Sequence, residues 1–374
     1  PEYYIPTRSM FSVGNELVNN IGDDTTFAST LLGTTYNNLH VVSGDAAINL
    51  PKSKLKTTLS DLFTSVNAIL CATLQYDRTN DICRIEARAE SYNVANSIDV
   101  GTVSNMTYTP LTEEIWTNAK FGYEDQTYDE VSGKDEPNQK SSYKSPMVRS
   151  LGDKEIISRY RADHYGLVLH CLSTDGKTET DSEPDNNIWV LDVDLTSTGL
   201  IPSGFTGAGE MYYDVKIDPL LEVNNVYGGE TYFNVSLSPT RNFLRHGAWT
   251  RGIFWNMDSQ EITFQTNSKS NYLGQRMSTT NIVTSEIISE DQNWSIGDLA
   301  DPYIKPLVFT FTCIVDTDFK TAVETYPYRY ITFVHNGNIF TGFIKKVEYP
   351  IGRPLAKTFE LICTYVCDTD KLIY

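Results

Sequence analysis

The chain has 374 residues, a net charge of −18 and a pI near 4.7, with 40% apolar and 21% charged residues. This composition excludes a disordered or collagen-like chain and leaves length for buried cores in about two to three domains. No run approaches the ~18 consecutive apolar residues of a spanning helix. The acidic balance also argues against tight nucleic-acid binding, which needs clustered Lys and Arg.

Residues 1–50 alternate polar turns with short apolar runs and read as an N-terminal β segment, incomplete as a domain on its own. No charged-then-apolar leader is legible after Pro1. Region 51–205 reads as α+β with long acidic loops. Leu55, Leu59, Leu62, Phe63, Val66, Ile69 and Leu70 recur at three- and four-residue spacing, which predicts an amphipathic helix over 53–71 with Ser53 as its N-cap. A hairpin follows, with Leu74 and Tyr76 on one arm, a DRTND turn, and the second arm from Ile82. The polar stretches 120–150 and 173–187 hold most of the local acids. Between them YRADHYGLVLHCL reads as a strand, and IWVLDVDL at 188–195 as another.

Region 206–305 is mixed. Ser238 followed by Pro239 marks a helix start running to about residue 256. Gly247 and Gly252 would each cost about 1 kcal/mol in a helix interior, which suggests that something approaches closely there. Region 306–374 reads as a small β-barrel or sandwich. LVFTFTCIV places Phe309, Phe311 and Cys313 on one face, and TDFKTAVET forms a short helix. A hairpin turns at Asn336-Gly337, and KTFELICTYV closes the set. The predicted class is mainly β with α+β insertions, small β-barrel or sandwich domains and one helix–hairpin unit.

Few residues suggest chemistry. Arg245-His246-Gly247 matches the triplet of histidine phosphatases, but it lies mid-chain with only His335 downstream. Asp163-His164 and His170-Cys171 lack the four short-spaced ligands of a zinc site. Asp175, Glu179, Asp181, Glu183 and Asp185 lack the DxDxDG calcium pattern. Cys363 and Cys367 would lie about 13 Å apart on a strand. No catalytic, cofactor or metal residue is assigned. The six cysteines, most of them in apolar runs, read as reduced thiols. Arg241, Arg245, Trp249, Arg251 and Trp255 mix charge with aromatic anchors. They read either as salt-bridged to this chain's own acids or as a subunit interface.

Four stretches carry a resemblance that covers the chain from about residue 50 onward: GYEDQTYDEVSGKDEPNQ, ISRYRADHYG, LSPTRNFLRHG and FTGFIKKVEYPIGRPLAKTFELICT. The chain resembles tail structural proteins, hub- or baseplate-like, of phages and prophages of gut Bacteroidetes. The resemblance implies small barrels around a central channel and self-assembly into a ring, with a trimer favoured. It implies other tail proteins as partners, DNA passing nearby without tight binding, and a place in the virion after synthesis in the bacterial cytoplasm. It implies no catalytic residue. Two readings of other classes stay open: a secreted or surface carbohydrate-binding β protein, and a hydrolase with an unrecognised site.

Overall fold

The structure is a computed structural model. It describes residues 4–22, 24–47, 54–92, 97–124, 140–147, 152–163, 167, 187–193, 195, 236–265, 292–313 and 330–348 with their side chains. Backbone strands are also described at 201–205, 211–216, 225–228, 231–234, 278–280, 287–289 and 357–364. Strand outweighs helix, as a mainly β chain requires.

The clearest sequence signal gives a helix at Leu59–Leu70, later than expected. Residues 54–58 are neither helix nor strand, and Ser53 lies outside the described residues. Thr58 is the cap. Its hydroxyl oxygen accepts the Asp61 N–H at 3.1 Å and donates to the Asp61 carboxylate at 2.7 Å, satisfying an orphan amide of the first turn. Leu62, Val66 and Ile69 are completely buried, and Leu55 still packs against this core from outside the helix. The hairpin Ala72–Asp77 with Ile82–Ala87 follows as predicted. Thr26–Ala28 joins its second arm in parallel.

The first 47 residues contain more than short strands. A helix at Met10–Asn19 begins at Ser9, whose oxygen accepts the Ser12 N–H. Gly14, Asn15 and Asn19 have poor helix propensity, so burial of Met10, Val13 and Val18 decides the conformation. The flanking strands Tyr4–Ser9 and Leu39–Ser43 enter an antiparallel five-stranded sheet with Ile188–Asp192, Ile201–Phe205 and Met211–Lys216. Three of the four expected regions therefore share one sheet. A second five-stranded sheet is ordered 153–158, 118–123, 140–144, 261–265, 294–295.

The strand expected across YRADHYGLVLHCL is not continuous. Arg161 makes a single bridge to Trp189, and the Leu167 N–H then donates to the Asp163 carbonyl, one helical turn. The Asp163 carboxylate is held by the buried Arg161 guanidinium, whose Nε lies 2.8 Å from Oδ1. Residues 164–166 and 168–186 lie outside the described residues, as does the helix expected at 317–325.

The third large sheet has six strands. Their order is 98–102, 330–335, 338–348, 357–364, 304–313, 104–110. Its central hairpin turns at Asn336-Gly337, both with positive φ, as this dipeptide predicts. The outermost strands, Ile98–Thr102 and Ser104–Pro110, are consecutive in the chain and separated only by Val103. One segment thus borders both ends of the sheet, parallel to Tyr330–His335 and antiparallel to Ile304–Cys313. The sheet must curl for both ends to reach that segment. Val103 sits at the corner, its N–H donating to the Val334 carbonyl at 2.9 Å. Phe309, Phe311, Phe333 and Phe340 fill the inside. No closed barrel forms among the described residues.

Candidate functional site

The charged and aromatic stretch at 238–256 is the best sequence candidate for a site, and local chemistry shapes it first. The Ser238 hydroxyl accepts the Arg241 N–H, and Pro239 opens the helix Pro239–Arg245. A second helix, Gly247–Ile253, follows at once. The expected single helix is two, because His246 at φ −86°, ψ 5° departs from helical dihedrals between them, although its N–H still donates to the Asn242 carbonyl and its own carbonyl accepts the Thr250 N–H. The close approach predicted at the glycines is real at Gly252. A Cβ there would lie 2.5 Å from the Ile304 carbonyl oxygen, where the curled sheet begins.

The Arg-His-Gly triplet has its partners inside the chain. His246 is 3% exposed, and its Nε2 donates to the Asn67 carbonyl at 2.9 Å. Arg245 Nη1 donates to the Ile69 carbonyl and to Asn242 Oδ1, both at 3.3 Å. Asn67 and Ile69 lie in the last turn of the Leu59–Leu70 helix; the Asn67 carbonyl also accepts the Cys71 N–H at 2.9 Å, and the Ile69 carbonyl has no partner within the helix. Arg245 and His246 cap that end, and the guanidinium also sits at the negative pole of the helix. Burial lowers the His246 pKa to about 3, and the positive charges of Arg88 and Lys154 add to the effect. The ring is a neutral donor at physiological pH, wedged edge-on against Phe121 at 5.5 Å. A phosphoryl-accepting histidine needs a free nitrogen facing solvent, and the nitrogen that binds Asn67 is engaged in the core.

A polar cluster that no local sequence pattern announces surrounds this cap. Arg88 donates to Asn67 Oδ1 at 3.3 Å and lies over the Trp249 ring at 4.8 Å. Trp249 Nε1 donates to Glu114 Oε2 at 3.3 Å, and Lys154 Nζ donates to the same oxygen. Tyr92 and Tyr303 stack at 5.0 Å, with Trp249 and Phe343 beside them. The Arg88 cation thus lies among the aromatic faces that could otherwise cradle a cationic ligand. Cys71 ends the Leu59–Leu70 helix with φ +54° and is buried. Burial raises its thiol pKa, outweighing the opposing charges of Arg88 and Lys154. A neutral thiol at a helix C-terminus is the reverse of an activated cysteine. Cys83 and Cys313 are also free and buried, and burial pushes the Cys313 thiol up to about 12. Cys171 and Cys367 fall outside the described residues, as does the Cys363 side chain.

The five expected interface residues do not share one exposed face. Trp249 is buried. Arg245 caps the helix and lies 5.5 Å from the Tyr36 ring. Arg251 meets Asp258 at 3.3 Å, Asp301 at 3.2 Å and the Leu299 carbonyl at 3.0 Å, which fits the reading of salt bridges to the chain's own acids. Arg241 is half-buried in the first helix, and half-buried Trp255 carries the Lys305 ammonium 4.3 Å from its ring centre.

A cleft of about 400 Å³ is lined by Thr64, Lys120, Tyr123, Glu124, Glu155 and Arg159, among others. Its charges are largely matched, with Lys120 on Glu155 and Arg159 on Glu124, both at 2.6 Å. No cluster of three or more metal-ligating side chains occurs among the described residues. No helix among them is long and apolar enough to cross a membrane. Comparisons with protein-family models, curated proteins and solved structures return no match to this chain.

Proposed function

We propose that the chain is a structural subunit of a phage tail, a hub or adaptor that assembles into a ring around the tail channel and carries no catalysis. One observation supports this most. The side chains with the greatest chemical potential, Arg245, His246, Arg88, Glu114 and Lys154, join the Leu59–Leu70 helix to the helix pair and the second sheet. Groups that cap a helix and hold a tryptophan serve rigidity. The resemblance of the four sequence stretches points the same way. The curled sheet over 98–110 and 304–364 takes the part of the small barrel, and the acidic surface suits a channel that lets DNA slide. The helix pair orients that sheet through Gly252.

The carbohydrate-binding reading separates from this one by experiment. A tail subunit co-sediments with purified particles and shows no selective binding on a glycan array. Selective glycan binding by a chain absent from particles would replace the proposal.

A further inference from the structure

A type I′ hairpin turn has positive φ at both central residues, and Asn-Gly suits it best. Asn336 at φ +50° and Gly337 at φ +79° form such a turn between His335 and Asn338, which pair with each other. Both turn residues are exposed, and a Cβ on Gly337 would meet nothing within 4 Å. Asn336 Nδ2 donates to His335 Nε2 at 3.1 Å, and His335 Nδ1 donates to the Val103 carbonyl at 3.4 Å. Asn105 at φ +55° and Asn256 at φ +63° are also exposed with left-handed backbone, but a methionine follows each. Asn336-Gly337 is the one Asn-Gly step in the sequence.

We propose that Asn336 is a site of spontaneous covalent modification in the folded chain, passing through a succinimide to aspartate and isoaspartate. The Gly337 nitrogen attacks Asn336 Cγ, the Cγ–Nδ2 bond breaks, and the proton that Gly337 gives up leaves on ammonia. Water then opens the ring. Attack at Cγ yields aspartate, and attack at the main-chain carbonyl carbon yields isoaspartate. In a type I′ turn the first central residue has ψ of about +30°, which points the next nitrogen away from Cγ. Rotating the central peptide plane converts I′ to II′, with ψ of about −120°, where Cβ, Cα, the carbonyl carbon and that nitrogen are nearly coplanar, as in a five-membered ring. The rotation alters ψ of Asn336 and φ of Gly337, so the His335–Asn338 pair and the strands behind it stay in place. Asn336 already has the positive φ that II′ shares with I′. Gly337 takes either sign of φ and brings no Cβ against the attacking nitrogen. His335 sets an imidazole, the usual side chain for moving a proton, beside the nitrogen that leaves. The product adds a negative charge at the tip of the central hairpin. Its isoaspartyl form also adds a backbone carbon to a two-residue turn, next to exposed Ile339. The site stands independently of the tail reading.

The test holds the purified full chain for days at neutral pH and physiological temperature, folded and, in parallel, unfolded in urea. Peptide mass spectrometry reads the mass gained on exchanging NH2 for OH, and enzymatic methylation of isoaspartyl groups counts the rearranged product. Hairpin tips open locally at little cost, so Asn336 in the folded chain should convert within about tenfold of its rate in urea. Asn105 and Asn256 should stay intact in the folded chain. Gly337→Ala should slow conversion by about tenfold or more in both forms, because a Cβ crowds the attacking nitrogen. Asn336 that stays intact in the folded chain overturns the proposal, whatever happens in urea. So does conversion of Asn105 or Asn256 at the rate of Asn336 in the folded chain, or a Gly337→Ala chain that converts as fast as the parent.

Discussion

Gly252→Ala tests how the helix pair meets the curled sheet. The added methyl would sit 2.5 Å from the Ile304 carbonyl oxygen and 3.0 Å from Ile304 Cγ1. Ile304 opens a strand held on one side by Lys357–Thr364 and on the other by Ser104–Pro110, so it cannot simply move away. Overpacking of this kind costs about 1–3 kcal/mol, and the helix-propensity gain of Gly to Ala returns about 1 kcal/mol. The net expectation is a loss of up to about 2 kcal/mol, or a fall in melting temperature of up to about 3 °C. Gly247→Ala is the matched control. Its methyl would meet Ala300 N at 3.4 Å and Leu299 Cβ at 3.5 Å, ordinary contact. It should be neutral or stabilising by up to about 1 kcal/mol. Differential scanning fluorimetry of both variants beside the parent decides the matter. The reasoning fails if Gly252→Ala melts at or above the parent, or if Gly247→Ala is the more damaging of the two.

Three further outcomes follow from the buried groups. His246 and His40 are held neutral by burial, at about 3 and about 4, whereas an unfolded histidine titrates near 6.5. The unfolded chain therefore binds more protons below pH 6.5, and stability falls on acidification from there towards pH 4, by up to about 1.4 kcal/mol per pH unit per histidine. His246→Gln should flatten that slope by about one proton in urea titrations across this range, and an unchanged slope would count against the buried neutral ring. Cys71, Cys83 and Cys313 should resist a thiol reagent in the native state and react on unfolding; rapid native labelling of Cys71 would contradict its burial. Purified protein should show no phosphomonoester hydrolysis that His246→Ala abolishes, and robust His246-dependent turnover would end the structural reading.

Local patterns in the sequence were legible where one element could bury its own face. The Leu62–Val66–Ile69 stripe, the hairpin after it, the Asn336-Gly337 turn and the Phe309–Phe311 face all appear where spacing puts them. The helix at Met10–Asn19 was hidden because its Gly and Asn residues favour turns, and only packing against residues far along the chain overrides them. Region boundaries were the least legible. Tyr4–Ser9 pairs with Met211–Lys216, and Ser104–Pro110 with Ile304–Cys313, so sheets form across about 200 residues of sequence. The site shows the same limit. Arg, His and Trp in 241–255 stand out by type, yet nothing local marks their partners, which are the backbone carbonyls of Asn67 and Ile69 and the side chains of Arg88 and Glu114. Whether a guanidinium caps a helix or faces a neighbour depends on contacts 176 residues away in the chain.

The central claim is that this chain is a wall of a phage tail. Electron-microscopic reconstruction of tails from particles that contain the chain tests it most directly. The account predicts density for the curled sheet and its helix pair in a threefold or sixfold ring on the tail axis, with the acidic surface towards the channel. Absence of the chain from virions, or its placement off the axis with no ring, would contradict it.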